Sequence, residues 1–501
     1  MVQRSAGRPL GGLAVFALGV AAAVWVASGD AEFPLVPVLV GLGFGCFVLV
    51  LNSPVWAAAT LLIPELSIFN YSIESIGLTL RLALVAVGAA LTFRALLPDA
   101  RLGDHRLRRV VLPAAAFVVV ATIVHVLQAD SDYMSKYLRY QLSELMTLVM
   151  VACLIRSRLD LVKFASVGLT LGLFSAVAAI WQHVDRESAF YGQTNVEWIY
   201  DWKSRAIGLS DNPVALANCM MCVLVPVMGL FVSDAVRRGR LRNLLLASLA
   251  IVGAAMYLTY TRSTLMASGA GLAGMALFLR GRRRTILLGA MVALVVAYQA
   301  ALSLHLLNNR YSKNATNDRS ASSHEALLTV GLAVAMDNAV IGIGHRRFEE
   351  ISTQYADVLQ GASGASGGIA VGNERPHNDF LSIVISWGVG AFVAYLLIII
   401  GALRNYWLAA RNPDRLIHGV AVGGAGGLIA YAVNSAFHNS LDSSSALWLF
   451  AGLSVALARL PASGGSGRHV LRLVRRPIHR LVRRPIASRH RHGRKNSWRY
   501  A

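Results

Sequence analysis

Long apolar runs separated by short polar connectors occupy most of the chain up to about residue 460. Many of these runs have about 17 to 23 residues, the length that crosses the hydrocarbon core of a bilayer as a helix. They lie at 10–28, 35–51, 53–65, 76–97, 110–128, 139–155, 161–181, 213–232, 243–260, 263–279, 285–305, 378–402, 416–437 and 441–459. The short third run contains two prolines, so a re-entrant pair at 35–65 is an alternative. The pattern predicts an all-α polytopic membrane protein with 12–14 transmembrane helices.

One polar stretch, 308–378, stands out between two apolar regions. We predict that it forms most of a single large external loop, 306–377, containing short helices. Residues 326–341 within it are apolar enough to be mistaken for a span, but Asp337 and Asn338 favour a helix on the membrane surface. This loop is therefore the place where chemistry on a water-soluble group is expected.

The basic residues are unevenly divided between alternate connectors. With a cytoplasmic N-terminus, 33 of the 47 Lys and Arg residues fall in cytoplasmic segments and 12 in external ones. Short connectors rich in Lys and Arg stay on the cytoplasmic side, so we predict that both termini are cytoplasmic. A further span at 326–341 would move the 13 basic residues of 459–501 outside, which argues against it.

Composition agrees with a membrane protein and changes the meaning of the charge. The chain is 55% hydrophobic and 15% charged, with mean hydropathy +0.55, too apolar for one soluble globule. A net charge of +21 would suggest nucleic acid in a soluble protein, but here the basic residues lie in connectors and a tail. We predict a membrane domain at 1–460 and a basic, disordered cytoplasmic tail at 461–501 that contacts anionic lipid. No nucleic-acid partner is expected, although RNA or a protein partner remains an alternative for the tail.

Several kinds of enzyme are excluded by missing motifs. The chain has no Walker-type phosphate loop, dinucleotide fingerprint, HExxH sequence or GxSxG elbow. Cys219 and Cys222 form a CxxC, but inside a membrane helix they are better interpreted as small packing residues. We therefore expect no cofactor and no metal site.

Nine arginines fall on the predicted external side, and seven of them are candidates for binding an anionic group. Arg262 occupies YTRST, a turn of two or three residues between predicted spans, where its guanidinium has little room to reach water. The other candidates are Arg205, Arg310, Arg319, Arg346, Arg347 and Arg375. Guanidinium presents a planar fork of donors to phosphate and stays charged, so fixed arginines can neutralise a diphosphate leaving group without a metal. Pairing with nearby carboxylates or lipid phosphate is the alternative for each, and the tight turn favours an anionic ligand for Arg262.

His377 follows Pro376 and precedes Asn378 at the external end of a predicted span. Imidazole can take the proton of a sugar hydroxyl as the oxygen attacks. Asn378 can cap the helix that begins there, and a polar surface histidine is the alternative interpretation. The candidate catalytic residues are therefore His377, Arg262 and Arg319. The candidate substrate-binding residues are Arg205, Arg310, Arg347, Arg375 and Asn378.

Four stretches resemble the O-antigen ligase and polysaccharide polymerase superfamily. GLSDNPVALAN at 208–218 resembles the family's NP-containing span, and YTRSTLMASGAG at 260–271 resembles its Ser/Thr-Arg turn. Asp318–Arg319 with GIG at 342–344 resembles its external-loop arginine. PHNDFLSIVISWGVGAF at 376–392 resembles its HN-x-x-L motif and the glycine-bearing span that follows.

This resemblance covers about 208–400 and implies a reaction. It implies inverting, metal-independent transfer of a glycan from an undecaprenyl diphosphate-linked donor to an acceptor hydroxyl, on the outer face of the bacterial cytoplasmic membrane. By position, Arg262 and Arg319 resemble the arginines that hold the diphosphate, and His377 the residue that activates the acceptor. Ser263 stands where the family often has Gly, and no Trp follows Arg319 as it usually does.

The acceptor and two other function classes remain open. The acceptor is a core oligosaccharide in a ligase and a lipid-linked repeat unit in a polymerase. A lipid-linked oligosaccharide flippase or other transporter is one alternative, although it predicts internal repeats that the chain does not show. A metal-dependent polyprenyl-phosphate sugar transferase is another, with Asp30 and Glu32 or Asp130 and Asp132 as its acidic pair.

Overall fold

A computed structural model describes residues 55–60, 62, 104–128, 131–185, 205–210, 212–236, 239–304, 319–345, 347–355, 375–441 and 444–461. Within these ranges every regular element is a helix. The α-helices are α1 Val55–Thr60, α2 His105–Leu127, α3 Ser131–Leu154, α4 Arg158–Val184, α5 Pro213–Val232, α6 Arg240–Leu258, α7 Arg262–Phe278, α8 Arg282–Ser303, α9 Arg319–Asn338, α10 Phe348–Ile351, α11 Asp379–Ala409, α12 Arg415–Asn434 and α13 Ala446–Arg459. A 3₁₀ turn, Ser352–Tyr355, follows α10.

Seven of these helices are long and apolar enough to cross a membrane, which confirms the predicted fold class of an all-α polytopic membrane protein. They are α2, α4, α5, α6, α8, α11 and α12. The predicted spans 10–28, 35–51 and 76–97, and the tail beyond Pro461, lie outside the described residues. The predicted total of 12–14 spans and the division of the chain at residue 460 therefore stay predictions.

Helix starts follow local capping chemistry. Asn212 accepts a hydrogen bond from Ala215 N and precedes Pro213 at the first helical position of α5. Asp414 caps α12 by accepting from Leu416 N at 2.9 Å. Ser157 and Asp160 form a reciprocal capping box at the start of α4. These residues fix where each apolar run begins as a helix.

Small residues let α12 approach its neighbours closely. A Cβ at Gly423 would overlap the backbone of Pro226 in α5, and a Cβ at Gly426 would overlap Met275 of α7. Close backbone approach through glycine is the usual way in which helices pack inside a membrane. Helix α12 is therefore held between α5 and α7, and its last turn is brought to the same end of the bundle as their first turns.

Helix α11 is interrupted in the middle of its apolar run. Gly388 has φ 74° and ψ 178°, so the helix breaks there. The segment after α9 occupies the break: Ile343 N donates to Ile385 O at 2.8 Å, and Val389 N donates to Ala339 O at 2.7 Å. The break therefore leaves its backbone groups hydrogen-bonded, as a membrane interior demands.

Helix α9 contains most of the apolar stretch 326–341 and is not among the seven helices long and apolar enough to span. Leu327, Val330 and Val334 of α9 pack with Leu381 and Ile385 of α11 in a separate apolar cluster. The helix thus lies against the first half of α11. Its position relative to the lipid surface stays a prediction.

Candidate functional site

The turn that carries Arg262 is short and sharply bent. Helix α6 ends at Leu258 and α7 begins at Arg262 itself. Tyr260 between them has φ 53°, a left-handed conformation that reverses the chain in three residues. Arg262 is partly exposed at this end of the bundle. The structure thus confirms the tight turn on which the assignment of Arg262 depends.

Arg205 is held against the same turn. Its Nε donates to Thr259 O at 2.7 Å, and its Nη2 donates to Thr261 Oγ1 at 3.0 Å. The segment that follows Arg205 is fixed to α4, because the Gln182 side chain exchanges two hydrogen bonds of 2.7 Å with the backbone of Gly208. Arg205 is therefore hydrogen-bonded to the turn that leads into Arg262.

Three helices are joined below this turn by amide and hydroxyl groups. Asn434 Nδ2 of α12 donates to Asn218 Oδ1 of α5 at 2.7 Å. Thr264 Oγ1 of α7 lies 3.4 Å from Asn218 Oδ1 and 3.3 Å from Asn434 Oδ1. This network connects the NP-containing and Arg-containing motifs to the end of α12, which the sequence pattern had not suggested.

His377 lies immediately before α11 and meets a second histidine. The ring centroids of His377 and His324, which belongs to α9, are 4.7 Å apart and tilted by 49°. Asn378 caps α11 by accepting from Leu381 N at 3.1 Å. Its side-chain oxygen is therefore engaged in capping, and a role for Asn378 in binding substrate stays a prediction.

A third histidine, His438, completes the cluster. It lies in the loop after α12, and its Nε2 is 2.6 Å from the hydroxyl of Ser263, the residue next to Arg262. Burial is the main cause that lowers the pKa of His438, and together with the neighbouring groups His377, His324 and Arg205 it brings this pKa to about 4. The charges of His377, His324 and Arg205 thus all disfavour a proton on His438.

The other predicted arginines are placed less centrally. Arg375 pairs with Glu349 at 3.1 Å, and Arg347 Nη1 donates to Gln128 Oε1 at 2.8 Å. Arg319 begins α9, but its side chain is not among those described. Arg310 and Arg346 lie outside the described residues. The structure therefore brings together Arg205, the Arg262 turn and His377, and leaves the roles of the remaining arginines as predictions.

Two members of the cluster, His324 and His438, were not singled out by the sequence patterns. His438 follows the predicted span 416–437 by one residue, on the same predicted side as His377. Collecting every histidine from the predicted external connectors would have identified both. The pattern could not have shown that they belong to one cluster, because they are 114 residues apart in the chain.

A small pocket adjoins the start of α11. It is lined by Arg375, Asp379, Ser382, Trp387 and Asn439, among others. His345 stacks on the Trp387 ring, with ring centroids 5.7 Å apart and planes within 9°. Polar groups and the aromatic rings of Phe348 and Trp387 thus line a pocket that reaches Pro376, the residue before His377, in a part of the molecule where a glycan is expected.

This cluster combines proton acceptors with positive charge. Imidazole can accept a proton from a hydroxyl, and guanidinium stabilises a phosphate oxyanion. In the described part of the chain, no group of three or more His, Cys, Asp or Glu side chains is arranged to hold a metal ion, although the His324 and His377 rings are 4.7 Å apart. The arrangement suits proton abstraction beside an anion.

Comparison with known proteins matches one stretch of the chain to a family model. No curated protein matches the chain. The matched region begins in α6, includes Arg262 and His377, and ends within α11. Residues 247–396 match the family model described as O-antigen ligase, and this match confirms the predicted resemblance to that superfamily.

Proposed function

We propose that this protein transfers a glycan from an undecaprenyl diphosphate-linked donor to an acceptor hydroxyl, with inversion and without a metal ion. The reaction takes place on the outer face of the bacterial cytoplasmic membrane, with both termini in the cytoplasm. The identity of the acceptor decides whether this activity is that of an O-antigen ligase or of a surface polysaccharide polymerase. The O-antigen ligase family supports the coarser statement, a membrane glycan-transfer function.

The observation that carries the proposal is the approach of two motifs to one imidazole. His438 lies 2.6 Å from the hydroxyl of Ser263, next to Arg262, and Asn439, the residue after His438, accepts a hydrogen bond of 3.1 Å from Ser382 in the first turn of α11. The predicted base and the predicted diphosphate-binding turn therefore lie at one end of the bundle. They lie at the starts of two helices, α7 and α11, whose first residues are 117 positions apart in the chain.

In the reaction, an acceptor hydroxyl attacks the anomeric carbon of the donor sugar. A new carbon–oxygen bond forms as the bond from that carbon to the diphosphate oxygen breaks. His377 accepts the hydroxyl proton, and the bonding electron pair leaves with undecaprenyl diphosphate. Arg262, with Arg319, neutralises the charge that develops on the leaving group.

The direct test is transfer by purified protein in detergent or nanodiscs. With a diphosphate-linked glycan donor and a suitable acceptor, we expect product in excess EDTA. His377→Ala should lower kcat by about 10²- to 10⁴-fold and Arg262→Ala by about 10²- to 10³-fold, without loss of expression or thermal stability. Complete inhibition by EDTA, or full activity in His377→Ala, would contradict the mechanism.

Matched controls come from the opposite end of the same structure. Arg280 follows α7 and is exposed, so Arg280→Ala should leave transfer unchanged. His418 is in the first turn of α12, where its Nδ1 is 2.6 Å from Ala410 O, and His418→Ala should also remain active.

Mass spectrometry of surface glycans from a deletion strain separates the ligase activity from the polymerase activity. Single repeat units accumulate without a polymerase, and long unattached chains accumulate without a ligase.

A further inference from the structure

The loop that carries His438 is fastened to the first turn of α11. The backbone N–H of Asp379 donates to Ser435 O at 2.7 Å. Both carboxylate oxygens of Asp379 accept from Leu441 N at 3.1 Å, and Asp379 is buried. Ser382 Oγ adds a contact of 3.1 Å to Asn439 Oδ1. The loop is thus hydrogen-bonded, before and after His438, to Asp379 and Ser382, which lie two and five residues after His377.

The other side of His438 contacts α7. Its Nε2 and the Ser263 hydroxyl are 2.6 Å apart, a short distance for this kind of hydrogen bond. Ser263 and Arg262 are adjacent residues in the first turn of α7, so they move together. His438 therefore connects the helix start that follows His377 with the helix start that carries Arg262.

The charge state of His438 suits a connecting role. With its pKa lowered to about 4, the imidazole is neutral at neutral pH and can form the hydrogen bond without adding another positive charge. The surrounding groups that act on it are His377, His324 and Arg205, all of which repel a proton when they are charged. A neutral side chain that forms the same hydrogen bond should therefore replace it.

We propose that His438 is a positioning residue that holds the Ser263–Arg262 turn in register with His377 during glycan transfer, an assignment that rests on the proposed function. His438 lies outside the matched residues 247–396. It acts through Ser263 and takes no proton from the acceptor. Its contribution is the fixed separation between the base and the guanidinium that receives the leaving group, which catalysis requires to within a fraction of an ångström.

The test is a double-mutant cycle on transfer activity. His438→Ala and Ser263→Ala should each lower kcat/KM by roughly tenfold to a hundredfold, since each removes one partner of a partly buried hydrogen bond. The double variant should lose no more than the worse single variant, because both changes remove the same contact. His418→Ala is the matched histidine control and should leave kcat/KM unchanged.

A conservative substitution separates positioning from proton transfer and from simple loss of folding. His438→Gln retains a hydrogen-bonding group near the position of Nε2 but cannot act as a base at neutral pH. It should recover most of the activity, with the pH profile of the wild type above pH 5. An inactive but folded His438→Gln, or a shifted pH profile, would overturn the proposal, as would additive losses in the cycle.

Failure of this inference differs from failure of the proposed function. If the wild-type protein makes no product from any diphosphate-linked glycan, the proposed function fails. If the wild type makes product and the His438→Ala and Ser263→Ala variants both retain wild-type activity, only the positioning role fails. Thermal unfolding of each variant confirms that activity is compared between folded proteins.

Discussion

The two ends of the helical bundle handle charge in different ways. At the end remote from His377, arginines meet carboxylates: Arg459–Asp104 at 2.7 Å, Arg158–Asp414 at 3.5 Å, and Arg283–Asp234 and Arg415–Asp234 at 3.6 Å. At the His377 end, Arg205 donates to a carbonyl and a hydroxyl, and His438 meets a serine. Among the contacts of the described residues, ion pairs predominate at the first end, whereas the His377 end combines the Arg375–Glu349 pair with these neutral partners.

This difference follows from what each end has to do. An ion pair fixes a helix end and cancels charge, so it suits a structural contact. A carbonyl or hydroxyl acceptor orients a guanidinium while leaving its formal charge in place, so it suits a site that receives a phosphate. The comparison therefore predicts that substitutions at the first end lower stability, whereas substitutions at the His377 end lower activity.

The largest expected effect comes from a substitution at Gly388, where α11 is interrupted, because this break positions the backbone at the His377 end. Gly388 has a positive φ, and a Cβ there would overlap the carbonyl oxygen of Val340. We expect Gly388→Ala to lower the free energy of unfolding by about 3 kcal/mol or more and to reduce activity. Thermal unfolding in detergent measures the first effect and glycan transfer the second.

Gly390 provides the control for that change. It lies two residues further along α11, is exposed, and a Cβ there would meet Val120 at an ordinary 3.9 Å. Gly390→Ala should be neutral or slightly stabilising. Equal destabilisation by both substitutions would show that the break is not specifically required.

Arg205→Ala should mainly affect activity. The guanidinium braces the Arg262 turn through two contacts, so we expect kcat/KM to fall by about tenfold to a hundredfold. Arg205→Lys should recover little, because an ammonium group does not reproduce the planar fork. Unchanged transfer by a stable Arg205→Ala protein would remove Arg205 from the site.

The two ends should also respond to acid at different pH. The folded-state pKa of His438, about 4, lies below the ordinary value of 6.5, so folding favours the neutral ring. The contribution of neutral His438 to the free energy of unfolding is therefore complete above about pH 6.5 and is lost as the pH falls toward about 4. After allowance for partial exposure, this loss is about 2 kcal/mol. His438→Gln should remove this loss, which a series of melting temperatures from pH 7 to pH 4 would measure.

The opposite end should resist acid further. Partial burial by itself raises the pKa of Asp104, but the backbone N–H of Arg106 and the Arg459 guanidinium outweigh it and hold the pKa below its usual value of 3.8. Its stabilising contribution is therefore present above that value and is lost only below it. A loss of stability between pH 6.5 and 4 that persists in His438→Gln would contradict this order.

The smallest expected effect is at the ion-paired end. Arg459 is only 14% exposed, and its Nε donates to Asp104 at 2.7 Å. We expect Arg459→Ala to lower the free energy of unfolding by about 1 to 2 kcal/mol and to leave kcat/KM unchanged. Arg284→Ala, an exposed substitution at the same end, serves as the control. A selective loss of transfer in Arg459→Ala would show that the two ends are not separate in function.

The apolar runs were sufficient to predict the helices in the described part of the chain. The predicted spans 213–232 and 243–260 correspond to α5 Pro213–Val232 and α6 Arg240–Leu258. The last predicted span, 441–459, begins later than predicted, at Ala446. Leu441 lies instead in the loop before this helix, where its backbone N–H donates to the carboxylate of Asp379 in α11. Length and hydropathy are local properties, so they can be read without knowing how the helices pack.

The candidate site was predictable only in part. Arg262 was identifiable because its turn is short in the sequence, and His377 because it precedes an apolar run. The contact between Ser263 and His438 joins residues 175 positions apart, and the break at Gly388 is filled by backbone from Ala339 to Gly344. These features depend on which helix faces pack together. That packing depends on shape and hydrogen bonding between distant segments, which no local pattern of apolar and polar residues records.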